Sequence, residues 1–167
     1  MEKVNKAGLT SGRELLYNLT MPCVQLLEQP VYEFRYEFQV QIGHLTHMGR
    51  VGHDALARIT HEARVHLFDL LGVAENDFGD NRTGIIMGDL AVTTAGEASL
   101  FDRIRVESHV GEMGRSGFRL FHRFAKGDTL VALVETGLMT FDYNKRTMVP
   151  IPEAFRKNLR EYLAARA

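Results

Sequence analysis

The sequence predicts an α+β fold in which one antiparallel sheet wraps a single long apolar helix. Two observations carry this. The first is the order of periodicities: one stretch of strict alternation, then one helical stretch, then four strand-like stretches with no helix between them. A parallel βαβ arrangement would interleave helices with the strands. The second is the helix itself. Its apolar residues spread beyond the single stripe of a surface helix, so it is expected to be covered on more than one side.

Residues 1–30 read as an N-terminal extension that packs on the outside of a domain spanning 31–167. Thr10 or Ser11 is placed to cap a short helix, with Glu14 as the reciprocal partner and Leu15, Leu16 and Leu19 as its apolar side. Pro22 and Pro30 bracket a second apolar piece, Val24 to Leu27. Residues 31–42 alternate: Tyr32, Phe34, Tyr36, Phe38, Val40 and Ile42 share one face, while Glu33, Arg35, Glu37, Gln39 and Gln41 share the other. Period 2 predicts a half-buried strand. A loop with Gly43, Gly49 and Gly52 follows.

The helix is predicted from about His53 to Leu71. Asp54 lies in its first turn, where a carboxylate suits the positive end of the helix dipole. Leu56, Ile59, Ala63, Leu67 and Leu70 form its apolar stripe, Val65, Phe68 and Leu71 widen it, and Gly72 stops it. Strands are predicted at 83–95, 100–111, 116–126 and 129–142, separated by Gly96, by Gly114 with Gly117, and by the hairpin signal Lys126-Gly127-Asp128. Asp142 to Lys145 is a turn, Pro150 and Pro152 exclude a central strand, and residues 153–166 form a terminal helix with Phe155, Leu159, Tyr162 and Leu163 on its apolar side.

The bulk numbers bound the function. The chain has 167 residues, enough for one domain, with 45% hydrophobic residues and a net charge of −1. Interspersed charge argues against a nucleic-acid partner. No stretch approaches the roughly 20 apolar residues of a membrane span, and no apolar run of signal-peptide type follows the first residues, so a cytoplasmic protein with no membrane partner is expected. The single cysteine, Cys23, excludes an intramolecular disulfide and reads as a buried structural thiol.

Common catalytic motifs are absent: there is no P-loop, dinucleotide-binding glycine pattern, G-x-S-x-G elbow or CxxC. His61 and His66 are five apart, so on a helix they point about 140° from each other and do not share a zinc. His44, His47 and His53 read as polar loop groups, with a three-histidine site as the alternative; no metal is expected. The stronger constellation is the helix start. Gly49 and Gly52 let a ligand approach the backbone, and amides near Gly52 to Ala55 point outward without intrahelical partners, a ready carbonyl-oxygen site. Glu62, about two turns in, reads either as general base or nucleophile, acting at the helix start or across a subunit boundary, or as a carboxylate bridging Arg58 and His66. Asp54 reads either as a helix-dipole residue paired with Arg58 or as a carboxylate aimed at the site.

Met48-Gly49-Arg50-Val51-Gly52-His53-Asp54-Ala55-Leu56, followed by Glu62-Ala63-Arg64, resembles the loop and central helix of hotdog-fold acyl-CoA thioesterases of the 4-hydroxybenzoyl-CoA thioesterase superfamily. The resemblance covers roughly residues 31–160, including Val149-Pro150-Ile151-Pro152 before the terminal helix. It implies a hotdog fold, a homodimer or homotetramer with active sites at the subunit interface, and hydrolysis of a fatty or aryl acyl-CoA to free acid and CoA, with no cofactor. One branch of that superfamily carries Asp-x-Asp-x-x-Gly-His before the helix; aligned from Glu62-Ala63-Arg64, its aspartates fall on His44 and Thr46 and its histidine on Arg50. A second branch has a histidine-glycine step at the helix start and a carboxylate nine residues later. His53 and Glu62 keep that spacing, with Asp54 in place of the glycine. The resemblance passes the carboxylate role to Glu62 and the backbone oxyanion site to the region of Gly52 and His53, with Asp54 as the other carboxylate candidate; the expected site is catalytic Glu62, Asp54 and His53, with Gly49, Arg50 and Gly52 binding substrate. An acyl-CoA hydratase or dehydratase and a non-catalytic acyl-CoA-binding domain are the alternatives.

Overall fold

A computed structural model describes residues 24–166. Six strands form one antiparallel sheet: β1 (Phe34–Gln39), β2 (Thr83–Thr94), β3 (Arg103–Met113), β4 (Gly117–Lys126), β5 (Thr129–Asp142) and the short β6 (Thr147–Met148). The order across the sheet is β1-β3-β4-β5-β2, with β6 beside the end of β5. Helix α1 (His53–Leu70) lies on one face of the sheet, and α2 (Glu153–Ala164) closes one end of the same core. This is the hotdog fold. The helix between β1 and β2 carries the chain from one sheet edge to the other.

Strand β1 is shorter than its alternation suggests. Val40 donates to Asp102 O at 2.9 Å and accepts from Phe101 N, after which Ile42–His44 close a 3-10 turn. The turn breaks the period, so Ile42 ends 76% exposed while Phe34 and Val40 are buried. Helix α1 also departs from expectation. It buries Leu56, Ile59, Ala63, Leu67 and Phe68 on the sheet, yet Val65 and Leu70 stay 46% and 51% exposed. A single chain supplies only one covering layer, so the wider apolar surface is left open.

Two clusters make the core. One surrounds the first half of α1, with Val40, Leu56, Ile59, Ile104, Val106 and Phe124. The other joins the end of α1 to α2 through Phe68, Phe78, Phe118 and Phe155. Each large side chain so buried contributes about 1.5–3 kcal/mol of transfer free energy. Arg64 is buried and donates to Glu75 Oε1 at 2.6 Å, while His61 Nε2 meets Glu75 Oε2 at 2.8 Å. Burial pushes the Glu75 carboxyl up, but its hydrogen bonds to Arg64 and His61 outweigh this and hold it below the usual range. The arginine of Glu-Ala-Arg is thus a structural anchor between helix and loop.

Ser108 and His122 face each other in register on β3 and β4, with Oγ 2.8 Å from Nδ1. His122 is fully enclosed: burial, followed by the nearby Arg64 charge, pushes its pKa down to about 3. The unfolded chain binds the proton near pH 6.5. Between these values the unfolded state holds more protons than the folded one, so this group's stabilising contribution is present above pH 6.5 and is lost as pH falls toward 3. His122→Leu is expected to flatten the decline in unfolding free energy between pH 6.5 and about 4.5, a window above the main carboxylate titrations. Urea melts across that window check it. An unchanged slope would show that His122 is not the buried titrating group.

Candidate functional site at the start of the central helix

The loop ahead of α1 is held by its own backbone. Thr46 N donates to Arg50 O at 2.8 Å, and Gly49 N donates to Thr46 O at 2.9 Å. Gly49 has φ of +72°, which only glycine adopts without strain. Val51 N donates to Ala98 O at 3.1 Å, tying this loop to the connection between β2 and β3. Between these two segments lies a cleft of about 360 Å³. Its walls include Thr46, Gly52 and His53 on one side and Thr94, Gly96 and Glu97 on the other, with Leu56 and Val131 adding apolar surface.

Helix α1 opens into this cleft. Gly52 is its N-cap and supplies no capping side chain. The first intrahelical bond runs from Leu56 N to Gly52 O at 3.0 Å, so the amides of His53, Asp54 and Ala55 precede the helical ladder. The Gly52 amide is not among the open donors, contrary to expectation: it donates to His44 O at 3.1 Å. The loop must fold back at His44 to present the helix start, and Gly52 closes that turn. A Cβ on Gly52 would lie 2.6 Å from Asp54 Oδ1 and 3.0 Å from Thr46 Cγ2. Both atoms are ends of side chains, and the exposed Asp54 carboxylate can turn aside, so a small side chain at 52 displaces Asp54 and leaves the loop backbone in place.

The carboxylates separate. Arg58 Nη2 meets Asp54 Oδ2 at 2.8 Å across one exposed turn, so Asp54 takes the helix-dipole arrangement. Glu62 bridges neither Arg58 nor His66. Its Oε2 accepts from the Tyr36 hydroxyl of β1 at 3.0 Å, and the Tyr36 ring stacks on His66 at 4.6 Å. Burial and the Glu62 carboxylate both push the Tyr36 phenol above its usual pKa, so it remains the donor. Glu62 lies with His61, Val65 and His66 around a second, shallow pocket on the exposed side of α1. Nine residues at 1.5 Å rise put it about 13.5 Å along the axis from His53, and about half a turn around it. One chain therefore does not bring Glu62 to its own helix start.

The loop histidines do not converge. His44 Nδ1 accepts from Gln41 N at 3.1 Å, and its ring meets Phe38 edge-on. His47 is exposed, and His53 lines the cleft. Among the described residues no group of three His, Cys, Asp or Glu side chains is placed to hold a metal. Cys23, Thr10 and Ser11 lie outside the described residues. Two site residues were not anticipated: Tyr36, which its alternation placed on a plain core face, and Glu97, which pairs with Arg50 at 2.5 Å. Neither pairing has a local sequence signal.

Residues 40–159 match the family model of the thioesterase-like superfamily. No curated protein matches the chain. Solved structures do. The 1,4-dihydroxy-2-naphthoyl-CoA thioesterase from Synechocystis superposes with a TM-score of 0.68 at 17% identity, over 75% of this chain and 94% of that one. A Staphylococcus aureus protein solved in complex with CoA gives 0.71 at 18%, over 77% and 82%. A DHNA-CoA thioesterase from Staphylococcus aureus gives 0.67 at 16%, over 79% and 89%. At these identities the structural likeness establishes the hotdog fold, and the family match over most of the chain adds membership: the chain belongs to the thioesterase-like superfamily.

Proposed function

We propose that this protein is an acyl-CoA thioesterase that hydrolyses a fatty or aryl acyl-CoA to free acid and CoA. The observation that carries the reading is the start of α1. With Ala55 fully buried, the amides of His53 and Asp54 stand ahead of the first intrahelical bond, at the positive end of a helix that opens into a cleft at His53. Such amides polarise a thioester carbonyl and stabilise the negative charge that develops on its oxygen. The family supplies the chemistry, and the named neighbours make aryl acyl groups the first to try.

Hydrolysis also needs a carboxylate. Glu62 takes a proton from water as that water attacks the carbonyl carbon, or attacks the carbon itself to form an anhydride that water then splits into the free acid and the Glu62 carboxylate, water supplying the proton for the sulfur in either route. The carbon–sulfur bond breaks and the thiol leaves with a proton. His53, on the cleft wall, orients the substrate or the water. The distance along α1 means that Glu62 acts on a helix start in a second copy of the chain, with Asp54 as the carboxylate in reserve. The assembly is a homodimer or homotetramer. Strand β2 supports this: it is a twelve-residue sheet edge with Met87 and Leu90 exposed, and among the described residues no second strand pairs with its outer side; an edge of that length is a template for pairing. Gly49 shapes the loop, and Arg50 and Gly52 meet the substrate at the mouth and floor of the cleft.

The test is release of free thiol from a panel of short-chain, long-chain and aryl acyl-CoAs. Release above background on at least one ester is expected. A 2-enoyl-CoA consumed without thiol release would assign a hydratase instead, and binding without turnover would assign an acyl-CoA-binding domain.

A further inference from the structure

A carboxylate that serves as base or nucleophile must present one oxygen to the reacting atom, and a flexible glutamate side chain does not do so unaided. The neighbours of Glu62 on α1 include three that could compete for it. Arg58 stands one turn before, His66 one turn after, and His61 is adjacent in sequence. Each is engaged elsewhere. Arg58 meets Asp54 at 2.8 Å, His61 Nε2 meets Glu75 at 2.8 Å, and the His66 ring stacks on the Tyr36 ring at 4.6 Å, 22° from parallel. Among the described residues no cation pairs with Glu62, and its hydrogen bond comes from a neutral donor, the Tyr36 hydroxyl, to Oε2 at 3.0 Å. The difference is chemical. A cation beside a carboxylate stabilises the charged form and weakens the group as a base. A phenol fixes its direction and adds no charge.

Tyr36 is itself fixed. Its backbone lies in β1, in register with Val106 of β3. Its ring packs against the core cluster around the first half of α1 and stacks on His66 and, at 6.4 Å, on Phe38. The hydroxyl is therefore delivered from a strand, across to the helix, and a side chain on a rigid element holds its partner more precisely than one on a loop. Packing alone would be served by phenylalanine, which occupies 34 and 38 on the same face of β1. The hydroxyl at 36 takes Oε2 and leaves Oε1 without a donor among the described residues.

The geometry points to Tyr36 as the positioning residue for Glu62: its hydroxyl holds one carboxylate oxygen and so leaves the other to face the thioester at the helix start of a second copy. This rests on the assignment of Glu62 above and adds the group that orients it. Tyr36 transfers no proton and touches no substrate.

The test is the kinetics of thiol release by wild type, Tyr36→Phe, Glu62→Gln and the double variant, on the acyl-CoA of the panel that turns over fastest. Tyr36→Phe keeps the ring and its stacking, and melting temperatures check that it folds. It is expected to lower kcat by about 10- to 100-fold, the range for one hydrogen bond to a charged group, with KM within about twofold of wild type. In the double variant there is no base left to orient, so it should release thiol at the same rate as Glu62→Gln. A structural role alone would slow both backgrounds by the same factor, and that result overturns the assignment. So does a wild-type kcat for Tyr36→Phe, or a loss confined to KM. Failure of the carboxylate reading looks different. Glu62→Gln at the wild-type rate removes Glu62 from the chemistry and Tyr36 with it, whereas a slow Glu62→Gln beside a fast Tyr36→Phe removes Tyr36 alone.

Discussion

Glu62→Gln is expected to lower the rate of thiol release by about 10²- to 10⁴-fold, the usual contribution of a positioned general base. The loss should fall on kcat, with KM little changed, because the carboxylate acts on water or on the carbonyl carbon and does not hold the CoA. The fold should be unaffected. Glu62 lies on the exposed side of α1, and the amide oxygen of glutamine still accepts the Tyr36 hydroxyl now bonded to Oε2. Far-UV spectra and melting temperature separate the two effects. If Glu62→Gln turns over at the wild-type rate, Glu62 is not the catalytic carboxylate, and Asp54→Asn becomes the informative variant.

Phe155→Ala carries the largest expected effect on stability, a loss of about 3–5 kcal/mol, in the range for removing a buried phenyl ring. Phe155 is fully buried, with its ring centre 4.6 Å from that of Phe78, 5.3 Å from Phe118 and 6.2 Å from Phe68. With Leu159 it is one of the two buried side chains by which α2 closes the end of the core, and the cavity it leaves is lined by rings from α1, β4 and the connection before β2. Urea unfolding measures the change, with the m-value showing whether the variant still unfolds as one unit. A loss below about 1 kcal/mol would mean that α2 is dispensable to the domain.

The fold was legible because periodicity reports elements directly. The limits of α1 and of β2, β4 and β5 follow the apolar pattern and its glycine punctuation to within a residue or two. The pattern cannot say which apolar residues a single chain covers. Val65 and Leu70 carry the same signal as Leu67, and Ile42 the same as Val40, yet they are exposed. Local spacing located the first residue of α1 and offered the pairing of Asp54 with Arg58 as one of two readings, the one the structure shows. It missed the partner of Glu62, because Tyr36 sits 26 residues away on a strand whose alternation marks it simply as apolar. It missed Glu97 for the same reason: the far wall of the cleft exists only because Val51 and Ala98 meet through a backbone hydrogen bond. The use of the Gly52 amide by His44 depends on a turn that residue types alone do not specify.

The central claim is a site that takes its helix start from one copy and Glu62 from another. It is tested by mixing two disabled chains. Glu62→Gln lacks the carboxylate. Gly52→Val puts a β-branched side chain on the cleft wall beside the helix start, filling the room the thioester carbonyl needs. Each alone should release almost no thiol. Co-expressed in equal amounts in a dimer, they form one intact site in each mixed pair, and activity should return to about a quarter of wild type. A mixture as inactive as its components would place both groups in one chain and contradict the account.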